Sequence, residues 1–252
     1  MHPKIFKQKN IMINKRYAHR GFHQKPEIPE NSIPAFKRAI ERHWGAELDV
    51  HLLKDGTLAV FHDSDLKRCT GAEGYIEDLD LAGLKELRLE GTANLVPTFD
   101  EVLELFENVE PLIIELKVFR GNYNELAKAV LERLDKYMGD YCIESFDPRA
   151  ILAVKKLRPQ VIRGQLSQDF FKGQESEVAP WQRGILTNLR FNILTKPDFI
   201  AYKYEDRMNK ANRRYIKHGV QEVCWTIRSK EALADVEKDG AIPIFECFDP
   251  DL

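Results

Sequence analysis

The sequence lacks long apolar runs: none approaches the roughly 20 residues that a helix needs to cross a bilayer. This predicts no membrane-spanning segment. The basic start of the chain is not followed by an apolar stretch, so it does not resemble a secretion signal, and we expect a cytoplasmic protein. The sequence also lacks a strong charge bias, with a net charge of −2. The composition therefore argues against nucleic acid as a partner.

Cysteine is scarce, with four in 252 residues, at positions 69, 142, 224 and 247. None belongs to a closely spaced pair, so the spacing predicts neither a cysteine metal site nor a redox motif. We expect four free thiols in a reducing compartment. The sequence also lacks a glycine-rich fingerprint after its first apolar segment, which argues against an open, doubly wound dinucleotide-binding sheet.

The sequence does contain a regular alternation of short apolar runs and amphipathic helical patterns. Nine runs have the composition of strands, and they lie at residues 16–21, 46–53, 57–62, 112–117, 141–146, 161–166, 199–204, 222–227 and 243–247. Helix starts are indicated by Asn31 and Ser32 before Pro34, by Thr98 with Glu101, by Asn122 with Glu125, and by Asp147 before Pro148. Gly219 and Gly240 are placed to end the last two helices.

One pair of neighbouring strands must form a hairpin. Only Lys54, Asp55 and Gly56 separate the second and third runs, and parallel strands need a crossover of a dozen residues or more. Removing the hairpin's second strand leaves eight strands, nearly all separated by helices. This rhythm predicts a single α/β domain over residues 1–252, a (β/α)₈ TIM barrel. The long segment 64–97 is expected to be a small insertion that covers the barrel mouth.

The hairpin also leads to a geometric prediction. Asp-Gly is the favoured pair of a two-residue turn. If Asp55 and Gly56 form that turn, counting back along both strands places Asp49 opposite His62. Facing side chains of an antiparallel pair lie about 4.5–5.5 Å apart at Cβ.

Reactive residues of such barrels lie at the carboxyl ends of the strands, and several polar residues fall there. Inward carboxylates repel one another unless a cation neutralises them, which favours Mg²⁺ or Ca²⁺ over zinc. Two histidines can serve as general acid and general base, while an arginine and a lysine can contact phosphate. The residues concerned are His19, Arg20, Glu47, Asp49, His62, Glu115 and Lys117. Taken singly, each is also typical of a structural residue, and the Glu-x-Lys pair is typical of a salt bridge.

Seven short strings occur in an order and spacing typical of one enzyme family: AHRG at 18–21, PENS at 29–32, ELDV at 47–50, KDG at 54–56, FHD at 61–63, VPT at 96–98 and ELK at 115–117. This pattern resembles the glycerophosphodiester phosphodiesterase family. The match is specific over residues 16–120 and looser over 141–252. The resemblance implies a (β/α)₈ barrel that hydrolyses glycerophosphodiesters, small-molecule substrates, to glycerol 3-phosphate and an alcohol.

The resemblance also implies roles for particular residues. His19 and His62 correspond to the acid and base pair, and Arg20 to a phosphate contact. Trp225 corresponds to an aromatic residue near the bound glycerol, although as an apolar strand residue it is equally typical of a core. The divalent-metal ligands of the family correspond to Glu47, Asp49 and Glu115.

The chain departs from the family pattern at two positions on the expected rim. The string after Trp225-Thr226 usually contains asparagine where this chain has Arg228, and the last strand reads PIFEC at 243–247 instead of an Ile-Ile-Thr-Asp-like string. Neither departure removes a proposed catalytic residue, but both leave the released alcohol open. The roles of Glu30 and Asn31 also stay open, since Asn31 is a suitable helix cap.

Two other functions are consistent with the sequence. A lysophospholipase D or sphingomyelinase D-like enzyme would need an apolar mouth for a larger lipid. Apolar residues after the run at 161–166 could form one: Phe170, Phe171, Trp181, Leu186, Leu189 and Phe191. A non-catalytic module that binds phosphate esters is the alternative from another class, and it predicts binding without turnover.

Overall fold

A computed structural model describes residues 15–172 and 178–252. Eight parallel strands form a closed (β/α)₈ barrel, in which β1 pairs with both β2 and β9. A ninth strand, β3, is antiparallel to β2 and lies outside the barrel. All nine predicted strands are present: β1 Tyr17–Ala18, β2 Gly45–Leu52, β3 Leu58–Val60, β4 Leu112–Leu116, β5 Tyr141–Ser145, β6 Arg163–Ser167, β7 Phe199–Lys203, β8 Gln221–Ile227 and β9 Ile242–Phe245.

Helices connect the barrel strands and surround them. In the described part of the chain they are α1 Ile33–Glu41, α2 Lys67–Thr70, α3 Leu81–Glu86, α4 Phe99–Phe106, α5 Tyr123–Leu134, α6 Pro148–Leu157, α7 Pro180–Thr187, α8 Asn192–Thr195, α9 Lys210–Lys217 and α10 Lys230–Lys238. Short 3₁₀ segments cover Ile76–Asp78, Leu89–Gly91 and Tyr204–Asp206. Over these described residues, no helix combines the length and the apolar character that crossing a membrane requires.

Most of the predicted helix boundaries are confirmed by capping contacts. The capping box of Thr98 and Glu101 opens α4, and Asp147 with Pro148 opens α6. Gly219 and Gly240 follow the last two helices with positive φ angles. The predicted capping bond from the Asn122 side chain is wrong. This side chain accepts from the N–H of Phe119 and makes no capping bond into α5.

The two faces of the barrel strands bury different residues. Along β2, Ala46, Leu48 and Val50 face outward and belong to the apolar cluster between strands and helices. A second apolar cluster, which includes Tyr17, Ile113, Cys142 and Phe199, fills the amino-terminal end of the barrel interior. Further along the same inner face come the charged residues. The barrel interior is therefore apolar at one end and ionisable at the end where the strands terminate.

The hairpin differs from the prediction by one residue. Val50 pairs with Val60 and Leu52 with Leu58, so the loop contains three residues and not two. Leu53 and Thr57 close it, and Gly56 takes a φ of 87°, which is the favourable position for glycine in a three-residue loop. Asp49 is consequently opposite Phe61, whose N–H donates to the Asp49 carbonyl at 3.0 Å.

Residues 64–97 contain α2, α3 and two 3₁₀ segments, more structure than the single short helix that the sequence predicts. They enclose a small apolar core of their own against the hairpin, including Phe61, Leu66, Ile76 and Leu84. All four cysteines of the chain are free thiols, as predicted, and only Cys247 is exposed.

Candidate active site

The turn after β1 presents the first two site residues. Arg20 and Gly21 have φ angles of 55° and 79°. This conformation aims the backbone N–H of Arg20 at Glu47, whose Oε2 accepts it at 3.0 Å. On the other side, the N–H of His19 donates to the carbonyl of Phe245 at 2.9 Å. The end of β1 is thereby fastened to both neighbouring strands.

Three carboxylates from β2 and β4 converge on one point. Asp49 pairs directly with Glu115 in the sheet, and Glu47 lies one step back on the same face. Each of the three offers an oxygen within 4.8 Å of the other two, and all three residues are buried. The sequence placed these three residues together, and the structure brings them together.

Burial and mutual repulsion govern the charge of this cluster. Burial raises the pKa of Glu47 well above its usual range, and Asp49 and Glu115 raise it further. Burial also raises the pKa of Glu115 to about 7, against the opposing effect of Lys117. For Asp49, the effect of burial is outweighed by Lys117, His62 and Arg20, which hold its pKa well below the usual range.

The donor set fits a hard divalent cation. Its atoms are all oxygens, which Mg²⁺ and Ca²⁺ prefer. The buried Oδ1 of Asp49 accepts no hydrogen bond, and its charged neighbour is the Lys117 ammonium at 3.3 Å. A cation among the three carboxylates would remove the repulsion that raises the pKa of Glu47 and Glu115. The cluster could therefore bind a metal ion.

Asn31 supports the cluster and does not cap a helix. Ser32 is the residue that caps α1, by accepting from the N–H of Ala35. The Asn31 side chain instead donates from Nδ2 to Oδ2 of Asp49 at 2.8 Å. Its contribution is to orient one carboxylate of the cluster.

Two cations border the carboxylates. Lys117 extends its Nζ to 3.1 Å from Glu115 and 3.3 Å from Asp49. Burial lowers the pKa of Lys117, but Glu115 and Asp49 outweigh it, so its pKa lies above the usual range. Arg20 places Nε 3.5 Å from Asp49 and donates from Nη1 to Glu30 at 2.9 Å. Both cations are consequently charged and close to the point where the carboxylates meet.

His19 lies between two carboxylates. Its Nδ1 is 2.5 Å from Oε2 of Glu246, and its Nε2 is 3.9 Å from Oε2 of Glu47. Burial lowers the pKa of His19 to about 4, despite the opposing effect of Glu246. The imidazole is therefore neutral at pH 7 and able to accept a proton.

His62 reaches the site by a different route from the predicted one. Although Phe61 takes the position opposite Asp49, the chain leaves the strand after Val60, and His62 borders the same cavity as His19. Its Nδ1 lies 2.5 Å from Asp63 Oδ1. Its backbone carbonyl is 3.2 Å from Nε2 of the buried His51. Burial lowers the pKa of His62, and Lys117 and Arg20 act in the same direction.

A chain of ion pairs joins the inserted segment to this site. Arg68 of α2 lies 2.5 Å from Asp63 and 2.6 Å from the buried carboxylate of Glu30. Glu30 also contacts Lys25 and Arg20. Although burial acts in the opposite direction, Arg68, Arg20 and Lys25 hold the pKa of Glu30 far below its usual range.

An aromatic wall closes one side of the cavity. Trp225 is half-buried, and its indole N–H donates to the carbonyl of Ala201 at 3.1 Å. The Phe146 ring packs edge-on against Trp225 with centroids 5.5 Å apart, and against Phe170 at 6.2 Å. Of the apolar stretch predicted to line a lipid mouth, Phe170 and Leu189 are buried, while Phe171, Trp181 and Phe191 are exposed.

The cavity has a volume of about 130 Å³. His19, Arg20, Glu47, His62, Glu115 and Trp225 all border it, and so do Glu144 and Arg228. Asp49 and Lys117 are connected to the cavity lining, because Lys117 contacts both Glu115 and Asp49. All eight predicted site residues therefore lie in one region.

Sequence reasoning assigned no site role to four residues of this region: Asp63, Glu144, Arg228 and Glu246. Asp63 follows His62 directly, and an adjacent carboxylate was a signal available in the sequence. Glu144 pairs with Glu115 across β4 and β5, and burial, with Glu115 and Asp49, raises its pKa well above the usual range. Glu246 directly follows β9, and Glu115 lies near the end of β4, so its place after a barrel strand was also a signal available in the sequence.

Comparison with known proteins identifies the chain. The model of the glycerophosphoryl diester phosphodiesterase family matches residues 19–245. The chain belongs to this family. A glycerophosphodiester phosphodiesterase from Caldanaerobacter subterraneus is 32% identical over 241 residues, which cover 88% of this chain and 89% of the relative. As a member of this family, the chain is a hydrolase that acts on phosphoric diesters.

Two further known proteins are similar to this chain. A phosphodiesterase from Oleispira antarctica, solved in complex with the product sn-glycerol-3-phosphate, has the same fold with a TM-score of 0.77. It is 22% identical, and the match covers 95% of this chain and 94% of that one. A human lysophospholipase D is 34% identical over 144 residues, which cover 52% of this chain and 44% of the relative.

Proposed function

We propose that this family member hydrolyses glycerophosphodiesters to glycerol 3-phosphate and an alcohol, with His19 and His62 as the proton-transfer pair. One observation carries the proposal. Two imidazoles, each with a carboxylate at Nδ1, border the same cavity as the carboxylate cluster. The Oleispira antarctica phosphodiesterase with its product sn-glycerol-3-phosphate supports the same substrate class.

Glu47, Asp49 and Glu115 would hold the divalent cation, Mg²⁺ or Ca²⁺. When bound, such an ion supplies Lewis-acid polarisation of a phosphoryl oxygen. The chain's own cations add to this effect. Arg20 offers a planar fork to phosphate oxygens, and Lys117 a compact positive charge, so both stabilise the negative charge that grows on the phosphoryl group in the transition state.

The two histidines divide the proton transfers. One removes a proton from the attacking hydroxyl, which belongs to water or to the glycerol 2-position. The other donates a proton to the oxygen of the leaving alcohol. Burial lowers the pKa of both histidines, which favours the neutral imidazole that a base requires. Trp225 and Phe146 form the apolar surface against which the carbon side of the glycerol packs.

We further propose that the chain is one domain in which residues 64–97 cover the barrel mouth. Three contacts support this arrangement. Arg68 of the inserted segment reaches Glu30 and Asp63. Glu77 lies 2.6 Å from Nδ1 of His51, the buried histidine beside the His62 carbonyl.

The experiment that tests the histidine assignment is steady-state turnover of glycerophosphocholine, followed by release of glycerol 3-phosphate. His19→Ala and His62→Ala should each lower kcat by about 10²- to 10⁴-fold, the usual worth of one proton-transfer role. His218→Ala is the matched control, because His218 is exposed and hydrogen-bonds within α9. Near-normal turnover by either variant would show that the assignment is wrong, and binding without turnover by the wild-type chain would favour a binding module.

A second candidate function is hydrolysis of a lysolipid. The observation in its favour is the aromatic series of Trp225, Phe146 and Phe170, together with the partial match to a human lysophospholipase D. Comparing kcat/KM for glycerophosphocholine with that for its 1-acyl lysolipid separates the two. The cavity of about 130 Å³ favours the smaller, water-soluble substrate.

A further inference from the structure

The two rim positions at which the chain departs from its family pattern are in contact. Arg228 follows the end of β8, and Glu246 follows the end of β9. Arg228 donates from Nε to Oε1 of Glu246 at 2.8 Å, and its Nη2 lies 2.7 Å from the same oxygen. The other oxygen, Oε2, lies 2.5 Å from Nδ1 of His19. One carboxylate therefore joins an arginine on the rim to a proposed catalytic histidine.

The backbone fixes this carboxylate in place. The N–H of Glu246 donates to the carbonyl of Ile227 at 3.0 Å, and the N–H of His19 donates to the carbonyl of Phe245 at 2.9 Å. Three strand ends are thus tied in sequence around the barrel. The Glu246 side chain is 13% exposed, so its hydrogen bond to His19 is largely shielded from water.

A second imidazole lies near the same carboxylate. His23 places Nε2 3.7 Å from Oε2 of Glu246, beyond hydrogen-bonding distance. His19 is the closer partner of that oxygen, and Arg228 occupies the opposite oxygen. The carboxylate is therefore oriented toward His19 by a contact on each side.

A carboxylate at Nδ1 determines which ring nitrogen reacts. It accepts a hydrogen bond from Nδ1–H, so the neutral imidazole keeps its lone pair on Nε2, the nitrogen that faces Glu47 and the cavity. The other proposed catalytic histidine has the same arrangement. Asp63 lies at Nδ1 of His62, and Arg68 contacts the second oxygen of Asp63 at 2.5 Å.

We propose that Glu246 and Arg228 are positioning residues of the reaction: Glu246 fixes the tautomer and orientation of His19, and Arg228 holds Glu246 in place. The inference rests on the proposed function for its kinetic consequences. Neither residue needs to touch the substrate for this role. Arg228 therefore acts through Glu246 and not through the substrate.

The first test is kinetic and uses the full chain with glycerophosphocholine. Glu246→Leu should lower kcat by about 100-fold and Arg228→Ala by about 10-fold, the range typical of residues that orient a reacting group. KM should stay within about twofold. Glu246→Gln keeps an acceptor oxygen and Arg228→Lys keeps a cation, so each should recover part of the loss.

Arg158→Ala is the matched control. Arg158 also contacts a carboxylate through Nε and Nη2, at 2.9 Å and 2.5 Å from the two oxygens of Asp135. It follows the carboxyl end of α6, the end remote from the barrel mouth. Its loss should leave kcat unchanged. A rise in KM with unchanged kcat in Arg228→Ala and Glu246→Leu would overturn the proposal, because it would place both residues in substrate binding.

The second test observes the tautomer directly and does not depend on turnover. In ¹⁵N-histidine-labelled protein, the His19 resonances are assigned by their loss in His19→Ala. They should show the Nδ1–H tautomer in the wild-type chain and a mixture or the Nε2–H form in Glu246→Leu. An unchanged tautomer would overturn the proposal. If Glu246→Leu fails to fold, Arg228→Ala and Glu246→Gln carry both tests, since Arg228 is half exposed.

These two readouts keep the inference separate from the proposed function. If the wild-type chain turned over no glycerophosphodiester, the proposed function would fail, while the spectra would still decide whether Glu246 fixes the His19 tautomer. If turnover were normal and the tautomer did not respond to Glu246, only the further inference would fail.

Discussion

The buried carboxylates near the barrel mouth fall into two groups according to their neighbours. Against the effect of burial, Arg68 and Arg20 hold the pKa of Glu30 below its usual range, and His19, followed by Arg228, does the same for Glu246. Glu47 and Glu144 are surrounded by other carboxylates, and burial raises their pKa values. The first group is held in place by permanent ion pairs. The second group lacks enough positive charge around it, and a bound cation would reduce the repulsion among its carboxylates.

Glu30→Gln should destabilise the chain strongly at neutral pH. It leaves Arg20, Arg68 and Lys25 without the buried carboxylate that they share, and breaking such a pair costs about 3–5 kcal/mol. The folded pKa of Glu30 lies below the unfolded value of about 4.3. The stabilisation is therefore complete above about pH 4.3 and is lost as the pH falls toward the folded pKa. Urea unfolding at pH 7 and near pH 3.5 measures this.

Glu73→Gln is the control for that measurement, because Glu73 pairs with Lys67 on the surface. An exposed pair is worth about 0–1 kcal/mol. The gap in unfolding free energy between the wild type and Glu30→Gln should shrink on acidification. An equal gap at both pH values would contradict the assigned role of Glu30.

At the scale of elements, the loops after the strands hold the site by tight local packing. Gly21, next to Arg20, has a φ of 79°, and a Cβ there would lie 2.9 Å from the backbone carbonyl carbon of Ala35 in α1. The first strand-to-helix connection therefore approaches the helix so closely that only glycine fits. Because Arg20 precedes it, this approach also determines where the Arg20 N–H points.

Gly21→Ala should consequently lower the free energy of unfolding by more than the strain of a positive φ angle accounts for. Gly121→Ala is the matched control, since Gly121 has a φ of 82° with open space around it. The control should lose about 1–2 kcal/mol from the positive φ. Gly21→Ala should lose roughly 1–3 kcal/mol more from the overlap with α1. Denaturant unfolding of both variants measures the difference, and equal losses would show that α1 moves aside.

At the scale of the whole molecule, the barrel interior separates stability from chemistry. The amino-terminal end is filled by apolar side chains such as Ile113, Cys142 and Phe199. The carboxyl end contains the carboxylates that repel one another. The apolar layer and the outer core stabilise a fold whose other end is destabilised by its own site, a division common in enzymes.

A cation should therefore stabilise the wild-type chain. At a concentration 100 times Kd, Mg²⁺ or Ca²⁺ adds about 2.7 kcal/mol, so Tm should rise by roughly 5–10 °C. Glu47→Gln should abolish this response while raising Tm in EDTA, because it removes a carboxyl whose ionisation is opposed by burial, Asp49 and Glu115, at a gain of roughly 1 kcal/mol. Thermal unfolding with each cation and with EDTA measures both effects. A wild-type Tm indifferent to both cations would contradict the proposed metal site.

The sequence by itself determined the elements and most of the site. The short apolar runs located all nine strands. The short connection between the second and third strands then showed that the third lies outside an eight-stranded barrel. These features depend on short-range chemistry: alternation along a strand, caps at helix ends, and the impossibility of a parallel crossover in three residues. The motif strings then placed seven site residues in one region, because equivalent strand ends meet at one mouth of a barrel.

Tertiary structure decided the features that depend on exact register and on distant partners. Whether the hairpin loop contains two or three residues depends on how Leu53 and Thr57 pair. A shift of one residue in this register changes the residue that lies opposite Asp49. The contact between His19 and Glu246 spans 227 residues of sequence. No local pattern encodes such a contact, because it exists only once the barrel closes and brings its first and last strands side by side.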